Sequence, residues 1–234
     1  MNILAFDTAT NACSVALQVG ATVFSRHEIA PSQHATLLLP MIQAVLDDAK
    51  ITATELNAIA FGCGPGSFMG VRLATATAQG LAFGIAIPVV PISTLQTLAQ
   101  TVFQGSGIGD RKSAGQVAAG WDARMHEIYW GLYTPDKNGI MQVLQPDALC
   151  APDAIDTALF SRVGCVFAGN AWVTYEKQFP PSLFFGDAEK QTDLYPDAKA
   201  MLVIAISRYL KKEFVSAENA HPHYLRHHVV HNHK

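Results

Sequence analysis

Over the first thirty positions the hydrophobic residues follow a two-residue period. Ile3, Leu4, Ala5 and Phe6 form a short apolar run that ends at Asp7. Val15, Leu17 and Val19 then alternate up to Gly20, and ATVFSRHEI follows. This pattern predicts three strands joined by two hairpins. The period then lengthens. Leu38, Met41, Ile42, Val45, Leu46 and Ala49 recur at helical spacing, with Pro40 either near the first turn or kinking the axis. LNAIAFGCGPGS reads as a strand entering a glycine loop, and residues 68–84 as a second helix. IAIPVVPIS is strand-like, and TLQTLAQTVF makes a third helix.

The polar stretch GSGIGDRKSAG marks a break between lobes. After it the order repeats. Val117, Ala119 and Trp121 lead to Asp122; Ile128, Trp130 and Leu132 alternate; PDKNG supplies a turn. GCVFAGNAW is again a strand running into a glycine loop, and residues 196–213 form a last helix. The expected architecture is an α/β fold made of a duplicated unit. It divides into an N-terminal lobe at 1–105, a C-terminal lobe at 106–220 and a His-rich tail at 221–234.

Composition narrows the function classes. Half of the 234 residues are hydrophobic and 15% are charged, which is the profile of a globular protein. A net charge of −3 gives no global pull towards nucleic acid. No apolar run approaches the roughly 20 residues of a membrane helix. MNILAFDTAT has no basic n-region, so a cytoplasmic location is expected. Cys13, Cys63, Cys150 and Cys165 form no CxxC pair and read as buried, reduced thiols.

The candidate chemistry begins at the glycine loop. A phosphate loop needs GxxxxGK[ST], and no lysine follows these glycines. GxGxxG also fails, because Ser67 and Met69 stand where glycines are required. Ser67 is still an apt N-cap, and a helix N-terminus attracts anions. The alternative is a tight strand-to-helix turn in which Gly64 and Gly66 serve the backbone. Asp7, Thr8 and Thr10 end the first strand. They read either as holders of a magnesium-bound phosphate or as an Asx turn into the hairpin. Asp122 poses the same choice. Gly70, Ala74, Thr77, Ala78 and Leu81 share one helix face of mostly small residues, suited to the protein's own sheet or to a partner subunit. Six of the nine histidines crowd HPHYLRHHVVHNHK, which reads as a solvated tail. His34 has Leu38, not histidine, four residues on. No GxSxG elbow is present.

Together ILAFDTAT, HATLLLPMI, IAFGCGPGSFMGVRLATATAQGLA, WDARMHEIYW and the late HPHYLR are similar to the bacterial TsaB (YeaZ) family, from residue 3 to about 226. That resemblance implies the ASKHA fold, the duplicated two-lobe fold of actin, heat-shock chaperones and sugar kinases. It implies a role in making N6-threonylcarbamoyladenosine at position 37 of tRNA. The transfer belongs to a TsaD-like subunit, which holds a metal through HxxxH, and a TsaE-like ATPase joins the pair. With Leu38 in place of the second histidine, this chain resembles the non-catalytic paralogue, which implies no catalytic residue and no cofactor in the isolated chain. ATP, ADP and metal are expected on the partner subunits. The family pairs through its first two N-lobe helices, which implicates Leu38, Met41, Ile42, Val45, Gly70, Ala74, Thr77, Ala78 and Leu81. The same surface supports a homodimer in isolation. Asp7, Thr8, Thr10, Gly64, Gly66, Ser67 and Gly169 would be a vestigial nucleotide loop, since Ala9 departs from DxGT. Contact with tRNA is indirect or left open. The rival readings are an ATP-binding ASKHA enzyme and, more weakly, a metallopeptidase.

Overall fold

A computed structural model describes residues 1–105, 115–160, 164–184 and 188–226. The expected lobe break at GSGIGDRKSAG falls on 106–114, and most of the His-rich tail on 227–234; both lie outside the described residues.

The first half contains β1 (Asn2–Asp7), β2 (Ala12–Val19), β3 (Thr22–Ile29), α1 (His34–Ala49), β4 (Ala58–Gly62), α2 (Phe68–Ile85), β5 (Val89–Ile92) and α3 (Thr94–Gly105). The second half contains β6 (Gln116–Arg124), β7 (Glu127–Pro135), β8 (Met141–Cys150), β9 (Cys165–Ala168), α4 (Ala171–Thr174), β10 (Glu189–Gln191) and α5 (Ala198–Leu210). The two five-stranded sheets run β3-β2-β1-β4-β5 and β8-β7-β6-β9-β10. In each, the first three strands are antiparallel and the last two join in parallel. The second sheet thus repeats the first strand for strand, which is the duplicated two-lobe ASKHA arrangement.

Strand alternation sorts the core into layers. Leu4, Phe6, Ile59 and Phe61 point to one side of the first sheet and pack under α1 and α2. Ile3, Ala5, Ala58 and Ala60 point to the other side, where their small side chains admit Met201, Leu202 and Ile204 of α5. In the second sheet Val117, Ala119 and Trp121 meet Leu95, Leu98 and Val102 of α3. The opposite face of that sheet holds Trp130, Phe167 and Trp172. Each fully buried side chain of this size contributes about 2 kcal/mol. The two long helices are exchanged. α3, which follows the first sheet, covers the second sheet, and α5 returns to cover the first. A cut at residue 105 therefore separates α3 from the sheet it covers.

Pro40 is the seventh residue of α1, past the first turn, and the helix continues to Ala49. β8 has no alternating apolar pattern that marks it as a strand. It carries Pro146 and exposed polar positions, and it is an edge strand, where proline is tolerated.

Candidate functional site

The β1–β2 turn, the glycine loop and the head of α2 meet at the mouth of the cleft between the lobes. Gly66 and Gly70 are where the turn presses closest. A Cβ on Gly66 would lie 2.4 Å from the Ala9 carbonyl oxygen, and one on Gly70 only 1.9 Å from that of Thr8. The glycines therefore make room for the protein's own backbone.

The hydrogen bonds follow the same logic. The Ser67 amide donates to the Ala9 carbonyl (2.7 Å), and the Gly70 amide donates to Ser67 Oγ (3.1 Å). Two donors that an anion would use at this helix start are already taken. The Thr8 hydroxyl donates to the Gly70 carbonyl at 2.7 Å. Asp7 is fully buried; it accepts from the Ala9 amide (2.7 Å) and the Thr94 hydroxyl (2.9 Å). Desolvation by burial raises its carboxyl from the ordinary 3.8 to about 6. Asp7 is thus an Asx turn and an anchor for α3. The Gly64 carbonyl accepts from the Thr94 amide, and the Gly169 amide donates to the Gln191 carbonyl. Asp122 accepts from the Arg124 amide and from the Tyr175 hydroxyl, so it too closes a hairpin.

A cavity of about 700 Å3 lies between the lobes. Of the nucleotide-loop candidates, Thr10, Gly66 and Ser67 line it, and Asp7, Thr8, Gly64 and Gly169 do not. Its other walls come from the β6–β7 hairpin (Trp121, Asp122, Arg124) and from His223, Tyr224 and Arg226. The ASKHA fold implies a nucleotide here, and the corner at the end of β1 does not fit its phosphates. Thr8 and Asp7 are committed inward, and the Ala9 side chain stands against Gly66, where DxGT would leave room. Among the described residues no group of three or more His, Cys, Asp or Glu could hold a metal ion. The Nε2 atom of His34 is buried without a hydrogen-bond partner among the described residues. Leu38, one turn further on, is 1% exposed.

The helix face read from the sequence as a pairing surface sits differently. Leu38, Met41, Ile42 and Val45 pack into the core beneath α1, and Ala74 and Ala78 do the same beneath α2. Gly70 is buried against Thr8, while Thr77 and Leu81 are half-buried at the rim. A residue packed on its own sheet offers no contact surface to another chain. The outward face of α2 is a different stripe, Met69, Arg72, Ala76, Gly80 and Phe83, at spacings of three and four. Met69 and Phe83 are 73% and 77% exposed, and Leu39 on α1 is 56% exposed. Sequence periodicity could have found this stripe, because its spacing is as regular as that of the buried one.

None of the described helices is long and apolar enough to cross a membrane.

A family model described as "TsaD: tRNA N6-adenosine threonylcarbamoyltransferase" matches residues 21–233. The tRNA threonylcarbamoyladenosine biosynthesis protein TsaB of Escherichia coli K12 is 39% identical over 98% of this chain and 96% of its own length. TsaB of Haemophilus influenzae is 34% identical over 98% and 95%. Among solved structures, YeaZ from Pseudomonas aeruginosa superposes with a TM-score of 0.86 at 38% identity, over 96% of this chain and 99% of that one.

Proposed function

Because the chain belongs to the TsaB family of tRNA threonylcarbamoyladenosine biosynthesis proteins, we propose that it acts there as a non-catalytic subunit. It docks on a TsaD-like transferase, and a TsaE-like ATPase joins the pair in the cytoplasm. tRNA contact is made by the partners. Alone, the chain pairs with a second copy through the same face.

What supports the docking reading is the outward stripe of α2. Met69 and Phe83 are large, apolar and exposed, and between them Ala76 and Gly80 leave the backbone open to close approach. A Cβ on Gly80 would meet nothing within 4 Å. A stripe with large apolar residues at its ends and small residues between them suits a helix from another subunit. The non-catalytic reading is supported by Leu38 at the position where HxxxH would place its second ligand. The test is threonylcarbamoyladenosine formation on unmodified tRNA by TsaD-like and TsaE-like subunits. Activity that needs this chain, and that survives substitution of Asp7 or Asp122, supports the reading. Activity undiminished without the chain overturns it.

A further inference from the structure

We propose that residues 221–226 form a latch across the interlobe cleft, tying the head of α2 in one lobe to the β6–β7 hairpin of the other. The latch has two ends and a central pin. At the α2 end, Arg72 Nε donates to the Tyr224 hydroxyl at 2.7 Å, and the Tyr224 ring stacks on Phe68 with centroids 5.9 Å apart. The Arg72 guanidinium lies over the same Phe68 ring, 3.6 Å from its centroid, so the three side chains form one stack. The pin is the His223 amide, which donates to the Cys63 carbonyl at 2.7 Å. At the hairpin end, Arg226 Nη2 donates to the Ala123 carbonyl (3.0 Å) and to Glu127 (2.6 Å), and Nη1 reaches Met125 Sδ (2.8 Å).

The hairpin that Arg226 grips is unusual. Arg124, Met125 and His126 have φ of 63°, 58° and 59°, three consecutive non-glycine residues in the left-handed region. That conformation is costly for L-residues and persists where surrounding contacts hold it. Arg226 is such a contact, because it binds the hairpin on both sides of the turn. Strain at the hairpin end is what a latch that opens requires, because it is relieved when the contacts that hold it let go. When it opens, the cavity loses the wall made by His223, Tyr224 and Arg226.

Hydrogen exchange on the full chain tests the coupling. Arg226→Ala removes the hairpin end alone. The expected result is exchange about tenfold faster at the His223 amide and at the Gly70 and Val71 amides of α2, in the other lobe, with the β1 amides unchanged. Acceleration confined to residues 123–127 overturns the latch and leaves a local contact. Should Arg226→Ala disturb the fold, Tyr224→Phe removes only the Arg72 bond and keeps the ring stack. It is expected to speed exchange at the hairpin amides of residues 124–127, and an unchanged hairpin overturns the proposal.

Discussion

The Thr94 hydroxyl donates to the Asp7 carboxylate at 2.9 Å, linking the first strand to the start of a helix 87 residues later. Asp7 faces inward and fixes α3, the helix that covers the second sheet, so the end of β1 is an internal joint.

That joint has a pH signature. Burial raises the Asp7 carboxyl from 3.8 to about 6, so the folded protein holds this proton more tightly than the unfolded chain does. The associated stability is fully present below about pH 4 and is lost as pH rises through about 6. The gap corresponds to about 3 kcal/mol. Asp7→Asn removes the titration and keeps an acceptor for the Ala9 amide. Denaturant unfolding from pH 4 to pH 8 is expected to show the wild-type protein losing about 3 kcal/mol relative to this variant. Parallel profiles for the two proteins would refute the assignment.

Gly70 and Gly80 lie on one helix and are expected to respond oppositely to alanine. A Cβ at Gly70 would strike the Thr8 carbonyl, whereas one at Gly80 meets open space. Gly70→Ala should cost about 1–3 kcal/mol through the forced backbone shift. Gly80→Ala should stabilise by up to about 1 kcal/mol through helix propensity. Thermal melts of the pair read both signs.

The inward commitment of Thr8 and Asp7 predicts weak nucleotide binding by the isolated chain. Calorimetry with magnesium and ATP is expected to show no micromolar site. A Kd near 1 μM, about −8 kcal/mol, would instead favour an ATP-binding enzyme.

Much of the fold is legible in the sequence, because strand alternation and helix period are local signals. β1 to β3, the span of α2 and the Ser67 cap can all be read directly from residue order. The exchange of α3 and α5 between sheets cannot, since it depends on packing of α3 on β6 and of α5 on β1 that no local pattern encodes. The facing of α2 is ambiguous for a different reason. Gly70, Ala74 and Ala78 form a small-residue stripe, and Ala76 and Gly80 lie in another. Residue size alone does not say which stripe meets the sheet. Only the packed structure shows it, by leaving Met69 and Phe83 beside the second stripe exposed. The Asx role of Asp7 was one of two open readings, and the Ala9 amide decides it.

The most direct test of the central claim, docking through the outward face of α2, is calorimetric titration of the purified TsaD-like subunit with this chain and with its Gly80→Arg variant. Gly80 lies in open space, so the variant is expected to melt like the wild-type protein. The account predicts a measurable complex with the wild-type chain and at least about a hundredfold loss of affinity, some 3 kcal/mol, in the variant. A folded Gly80→Arg protein that binds the TsaD-like subunit as tightly as wild type would contradict it.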